Sequence, residues 1–236
     1  MVLSGLTGHR TEFVVCQETG QFLAMAEAEQ CEVTGNHVRP GILEDCAITH
    51  KRVIPSELSR CAATGQRVLN RLLVESSLSG ARILESVAVV SATGRYCAPI
   101  EAKTCVWSGR ITHPEDLRVC ELTGLTIHFE FATRDAEPRL QVLVDLLDGI
   151  TRTAEETARW EGIARMFSTL LRGGRCRVEA ASLSPSYQRL AVCAEVRTLL
   201  GLRKRHVGLI YETANNSVMG RLVQGRRSST GFLEIK

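Results

Sequence analysis

Over its first half the chain repeats its apolar positions every fifteen residues, a spacing longer than one helical turn or one strand pleat and therefore the period of a copied structural unit. Cysteine stands at Cys16, Cys31, Cys46 and Cys61, and again at Cys105 and Cys120. A second apolar position follows at Leu23, Val38, Val53, Val68, Ile83, Cys97 and Ile127, and a third at Leu43, Leu58, Leu73 and Leu117. Polar punctuation separates them. Thr or Ser comes three residues after the cysteine and is usually followed by Gly, as in Thr19-Gly20, Thr34-Gly35, Thr64-Gly65, Ser108-Gly109 and Thr123-Gly124. Pro40, Pro55, Pro99 and Pro114 precede the third apolar position. The unit is C-x-x-[TS]-G-x-x-V-x-P-x-x-L-x-x. Ser76 takes the cysteine slot ahead of Ser79-Gly80, and Val90 takes it in a unit one residue short that carries Thr93-Gly94. Met1, with Ser4-Gly5 behind it, heads the first unit. This makes nine units over residues 1–134, with the first and last the weakest, as terminal capping repeats are.

Fifteen residues are too few for a helical hairpin. Gly suits a turn of positive φ, the Thr or Ser before it bonds local backbone, and Val or Ile after it suits a short strand. Pro marks the strand's end, and Pro-x-x-Leu suits a single helical turn. Each unit is therefore expected to be a small β-hairpin that buries a core only by stacking on its neighbours. A β-solenoid with one unit per rung is the alternative, and the recurrent Pro fits it less well.

The period ends after Phe131. Residues 133–138 read as a linker, and two helical patterns follow. Leu140, Leu143, Leu146, Leu147 and Ile150 form the first apolar stripe. The second helix opens on the capping-box pair Thr153 and Glu156, presents Trp160, Ile163, Phe167, Leu170 and Leu171, and ends at Gly173-Gly174. Period-two alternation then takes over: Cys176, Val178 and Ala180 between Arg175, Arg177 and Glu179, then Leu190–Val196, Val207–Tyr211, Val218–Val223 and Phe232–Ile235. Ala191–Leu200 also fits a helix. Turns fall at Ser184-Pro185-Ser186 and Asn215-Asn216. The expected fold is mainly β with some α: an array of hairpin repeats over 1–134, then a small α+β domain over 135–236 with two helices on an antiparallel meander.

With C-x-x-[TS]-G followed by a hairpin, the units resemble tandem zinc knuckles of the zinc-ribbon and treble-clef type in which Thr or Ser replaces the second cysteine. The resemblance covers the first half of the chain. It implies kinship with arrays in bacterial proteins linked to helicase-like or nucleic-acid-processing chains. A structural zinc site wants four thiolate or imidazole ligands in close pairs, and no C-x-x-C occurs. The cysteines thus read as small buried apolar residues with no cofactor. If zinc is bound, its ligands are Cys16, Cys31, Cys46, Cys61, Cys105 and Cys120, shared between units, with His50 as a further donor. Nine cysteines, an odd number, and no signal-like segment over residues 1–15 point to a reducing cytoplasm rather than disulfides. The uncharged stretch 86–94 is too short for a bilayer.

Charge separates the halves. Residues 1–133 hold 12 Lys and Arg against 15 Asp and Glu, whereas residues 175–236 hold 11 against 4, within a chain of net charge +3. Arg203, Lys204, Arg205, Arg221, Arg226 and Arg227 are the candidate nucleic-acid-binding residues, on one sheet edge if the strands pair across Asn215-Asn216. Only Tyr187, Tyr211 and Phe232 supply aromatic faces nearby, too few for stacking a single strand. No phosphate-binding loop, dinucleotide fingerprint, H-E-x-x-H or G-x-S-x-G is present, and the six histidines form no close pair. The leading expectation is a non-enzymatic scaffold whose array binds a protein partner and whose basic domain binds nucleic acid in a larger bacterial assembly. The alternatives are a zinc-binding repeat protein and a small nuclease or hydrolase in the C-terminal domain.

Overall fold

The computed structural model describes residues 8–149, 163, 167, 169, 171, 175–228 and 231–234. It comprises two compact units, Met1–Ala102 and Lys103–Lys236. The division therefore falls earlier than the 134/135 boundary at which the period ends, and the last two repeats belong to the unit that contains the sheet.

Eight two-stranded antiparallel hairpins are described, in line with the hairpin reading of the repeat and not with a continuous ladder. The unit headed by Met1 lies largely outside the described residues. In the Cys61 hairpin, Leu58–Arg60 pairs with Arg67–Leu69 in the register Leu58↔Leu69, Ser59↔Val68, Arg60↔Arg67. The connecting loop closes when the Cys61 N–H donates to Gln66 O (2.8 Å) and the Gly65 N–H to Cys61 O (2.8 Å). That turn needs a left-handed residue, and Gly65 supplies it at φ +74°. In the Cys46 unit His50 adopts φ 56° at the same place and is exposed, which takes it out of the ligand role that its spacing suggested. The expected single helical turn is present at Pro55–Glu57 and Pro114–Asp116, and it forms without Pro at Met25–Glu27, Asn70–Leu72, Glu85–Val87 and Phe129–Phe131.

One register assignment changes. Val90 is 52 % exposed, whereas Ser91 is buried, with its N–H on Arg95 O and its carbonyl accepting from Gly94. Ser91, not Val90, heads that unit, and the missing residue has been lost from its turn. The slot is therefore Cys or Ser in every described unit. Paired with it inside each hairpin are Leu23, Val38, Val53, Val68, Ile83, Cys97, Thr112 and Ile127, all buried. A hairpin alone buries about two such side chains, worth ~1.5–3 kcal/mol each, so the core exists only between hairpins.

Stacking is written in backbone. The residue after the slot donates its N–H to the first residue of the next unit's second strand: Gln17 to His37 (3.0 Å), Glu32 to Arg52 (3.0 Å), Ala47 to Arg67 (3.0 Å), Ala62 to Arg82 (2.8 Å) and Ser77 to Tyr96 (2.8 Å). Val106 to Thr126 repeats the bond in the second unit at 2.8 Å. The expected linker 133–138 ends the series. Glu121 N–H donates to Pro138 O (2.8 Å), Thr133 N–H to Arg139 O (2.8 Å), and Ala132 bridges Leu140. This returning segment stands where a further repeat would.

The rest of the second unit is a helix and a sheet. Helix α1 is Gln141–Asp148, with Leu143 and Leu147 buried. It is the one α-helix with bounds among the described residues, where two were expected. The second expected helix lies mostly outside them, although Ile163, Phe167 and Thr169 are helical and Phe167 is buried. Strands β1 (Arg175–Leu183), β2 (Arg189–Thr198), β3 (Arg203–Glu212), β4 (Ser217–Ser228) and β5 (Gly231–Glu234) form an antiparallel meander in sequence order. Residues 191–198 are strand, which settles the helix ambiguity: Ala191, Val192, Cys193, Ala194 and Val196 are buried on both faces. On one face Ala191, Cys193, Ile210 and Val223 pack with Leu140, Leu143 and Leu147. On the other, Val178, Val192, Val207, Leu209 and Tyr211 pack with Phe167. Among the described residues no helix is long and apolar enough to cross a membrane.

Candidate functional site

Two sets of residues are arranged for chemistry: the slot cysteines and one end of the meander. No disulfide joins the cysteines. Each slot sulfur instead accepts from the backbone of the following unit. Cys61 Sγ accepts from Leu84 N–H (3.3 Å), Cys105 Sγ from His128 N–H (3.2 Å) and Cys120 Sγ from Leu140 N–H (3.2 Å). The equivalent donors for Cys16, Cys31 and Cys46 are the N–H groups of Arg39, Ile54 and Leu69. The Thr in the second-ligand position serves twice. Its hydroxyl lies against the sulfur, as at Thr19, Thr34 and Thr64. Its oxygen also accepts from the N–H two residues on, as Thr34 does from Asn36 (3.3 Å). Burial pushes the Cys46 thiol up, but the Thr49 hydroxyl and the N–H groups of Thr49, Ile48 and Leu69 outweigh it and bring the thiol down to about 7. Cys16, Cys31 and Cys61 are lowered by the same balance.

Serine meets the same site differently. Ser76 Oγ donates to Glu101 Oε2 (2.6 Å), and that oxygen also accepts the Ala98 N–H (2.8 Å), the donor a sulfur would have taken. A carboxylate thus fills the gap left by the smaller oxygen. Cys61→Ser, with no such carboxylate, is expected to strand the Leu84 N–H and cost about 1–3 kcal/mol. Chemical denaturation of the full chain measures it, and a loss below about 0.5 kcal/mol would remove the sulfur from its role as acceptor. Among the described residues the slot cysteines and histidines form no group of three converging ligand atoms.

The second set is cationic. Register places Arg175 opposite Arg197 and Arg197 opposite Lys204, a row of three cations across β1, β2 and β3 on one face. Like charges directly opposite destabilise a sheet. Arg205 lies on the other face opposite Val196, one register step from the His206↔Gly225 pair and so beside Arg226. Arg205 donates to Gln224 Oε1 (2.9 Å), and Arg197 donates to Glu195 Oε1 (2.6 Å). Among the described residues no carboxylate pairs with Arg175, Arg203, Lys204, Arg205 or Arg226, all exposed. The expected cluster is thus partly assembled: Arg203, Lys204, Arg205 and Arg226 share the sheet's end. Arg221 does not join them. Its guanidinium donates to Glu121 O (2.7 Å) and its N–H to Thr123 O (2.8 Å), holding the Cys120 turn. The backbone of Arg227 pairs with Phe232. Arg175 and Arg197 were missed, although Arg197 follows Glu195 in the period-two pattern of β2 and so could have been placed on its face.

The β2–β3 connection carries apolar residues where polar ones are usual. Leu199, Leu200 and Gly201 have φ of 54°, 56° and 94°, and Leu199, Leu200 and Leu202 are 62 %, 107 % and 86 % exposed. Two consecutive leucines in left-handed conformation are each disfavoured by about 1–2 kcal/mol. The turn therefore projects an apolar tip between Arg197 and Arg203. Tyr187 lies in the β1–β2 connection at the opposite end of the strands, and Tyr211 is buried, so neither faces this tip.

No family model matches the chain, and no curated protein or solved structure matches it.

Proposed function

We propose that the cationic end of the meander binds duplex nucleic acid, with the β2–β3 ribbon as the contacting element and the hairpin array as a scaffold for a protein partner. The carrying observation is the cross-strand row Arg175–Arg197–Lys204 beside Arg203, Arg205 and Arg226. Phosphates at duplex spacing neutralise such a row, and an apolar tip between arginines suits the wedge that groove-binding ribbons use. Tyr187 and Tyr211 supply no stacking platform beside the tip, which favours a duplex over a single strand. We further infer that the hairpins, with backbone N–H groups around each buried sulfur, are degenerate knuckle-like units that serve as a scaffold without metal.

Anisotropy of a labelled DNA duplex across a salt series tests the reading. With about four to five phosphates engaged, log K is expected to fall with log salt at a slope of about −4. Replacing Arg175, Lys204, Arg203 and Arg205 by Ala is expected to weaken binding at least about tenfold and flatten the slope, while Leu200→Ala weakens it without changing the slope. Binding to anionic vesicles but not to the duplex, or binding indifferent to the four substitutions, sinks the proposal.

A further inference from the structure

Two register steps inward from the cation row, three ligand-type side chains converge inside the sheet unit. Glu179, Glu195 and His206 are all buried, and one ligand atom of each lies within 4.8 Å of the others. Register explains the meeting. Glu195 and His206 are direct cross-strand partners on β2 and β3, so their side chains share a face. Glu179 belongs to β1, where the pairing slips between Val178 and Ala180. It follows Arg177, the cross-strand partner of Glu195, by two residues and so keeps to the face of Glu195 and His206, and it is the unpaired extra residue of a β-bulge. Burial and then the charge of Glu179 push the Cys193 thiol up to about 12.

The contact inside the cluster is unlike an ordinary ion pair. His206 Nε2 is 3.1 Å from Glu179 Oε2, yet neither ring nitrogen of His206 makes a hydrogen bond among the described residues. The distance is short, but no N–H points along it. Two donors on one ion, each about 2.0–2.1 Å from the metal, stand about 3–3.4 Å apart without a proton between them. His206 is only 7 % exposed, so its ring nitrogens cannot turn to water. Arg197 holds one oxygen of Glu195 at 2.6 Å, as an outer partner that orients a ligating carboxylate would. Two carboxylates and one imidazole form a hard-to-borderline donor set suited to a divalent first-row ion rather than to a soft thiolate-seeking one.

We propose that Glu179, Glu195 and His206 bind a divalent first-row transition ion such as Zn²⁺ or Mn²⁺, at a site separate from the repeat cysteines. The site does not rest on nucleic-acid binding, and either can fail alone. The test uses the full chain, stripped with chelator and titrated with Co²⁺ while its visible spectrum is recorded, then with Zn²⁺ and Mn²⁺ under equilibrium dialysis. One ion per chain is expected, with ligand-field bands of nitrogen and oxygen donors and no thiolate charge-transfer band. Glu179→Gln, Glu195→Gln and His206→Gln are each expected to weaken binding by about 10–100-fold or more. Circular dichroism of each variant separates lost ligation from lost folding. If the variants unfold, the wild-type Co²⁺ spectrum decides alone. No retained ion, a spectrum dominated by thiolate, or unchanged affinity in folded variants overturns the site.

Discussion

Gly220→Ala is expected to be among the most damaging single-methyl changes in the chain, lowering the stability of the Lys103–Lys236 unit by about 3–5 kcal/mol. Gly220 sits at φ +65° where the β3–β4 pairing slips between Gly208 and Ile210. A Cβ there would lie 2.5 Å from Thr123 O and 2.8 Å from Leu125 Cγ. The carbonyl belongs to the backbone of the Cys120 turn and already accepts the Arg221 N–H, so it cannot step aside cheaply. Gly65→Ala is the control. It shares the left-handed backbone at φ +74° but meets nothing within 4 Å, and about 1 kcal/mol is expected. Denaturant unfolding of both variants measures the difference. Equal losses would mean that the bulge does not clasp the turn.

The second large effect is a pH dependence of the hairpin array. Cys16, Cys31, Cys46 and Cys61 all have thiols lowered on folding, that of Cys46 from 9.0 to about 7. A group whose folded pKa is depressed adds stability above its unfolded value and loses it as pH falls through the folded one. Stability should therefore be highest near pH 9 and above, and should decline toward about pH 7. For Cys46 the drop to about 7 corresponds to at most ~2.7 kcal/mol. The denaturation midpoint at about pH 6.5 against about pH 9 measures the sum. Cys46→Ser should diminish the difference, and a flat profile would show that the nest does not hold a thiolate. Thiol reagents should not shortcut the test, because the Cys46 side chain is fully buried and is reached only when the hairpin opens.

These effects show which parts of the molecule the sequence discloses. The hairpin was legible because its grammar is local: a cysteine, a hydroxyl three residues on, a left-handed residue after it, and a β-branched residue beyond. The meander was legible from alternation and from Asn215-Asn216. Three things were not legible. Val90 mimicked the apolar slot because a deletion inside the turn and a deletion before it leave the same letter count, and only burial shows that Ser91 heads the unit. The unit boundary was hidden because the same repeat pattern recurs on both sides of Ala102. Glu179 read as an outward residue of an alternating strand; it keeps that face, but the face is buried there, and alternation of charged and apolar letters does not show which face is covered. Of the basic residues, Arg203, Lys204, Arg205 and Arg226 could be placed by strand pairing alone. Arg221 was lost to the same β4 irregularity that seats Gly220.

Each slot sulfur in the first unit reaches the backbone of the next hairpin and no further, as Cys61 does to Leu84. Information about position is therefore exchanged only between neighbours, and no residue of the array registers how many hairpins precede it. Removing a fifteen-residue segment between two slot cysteines would leave its neighbours able to remake the same backbone bond, whereas removing the segment that carries Glu101 would strand Ser76. The array is thus a ruler with interchangeable graduations except at its serine marks.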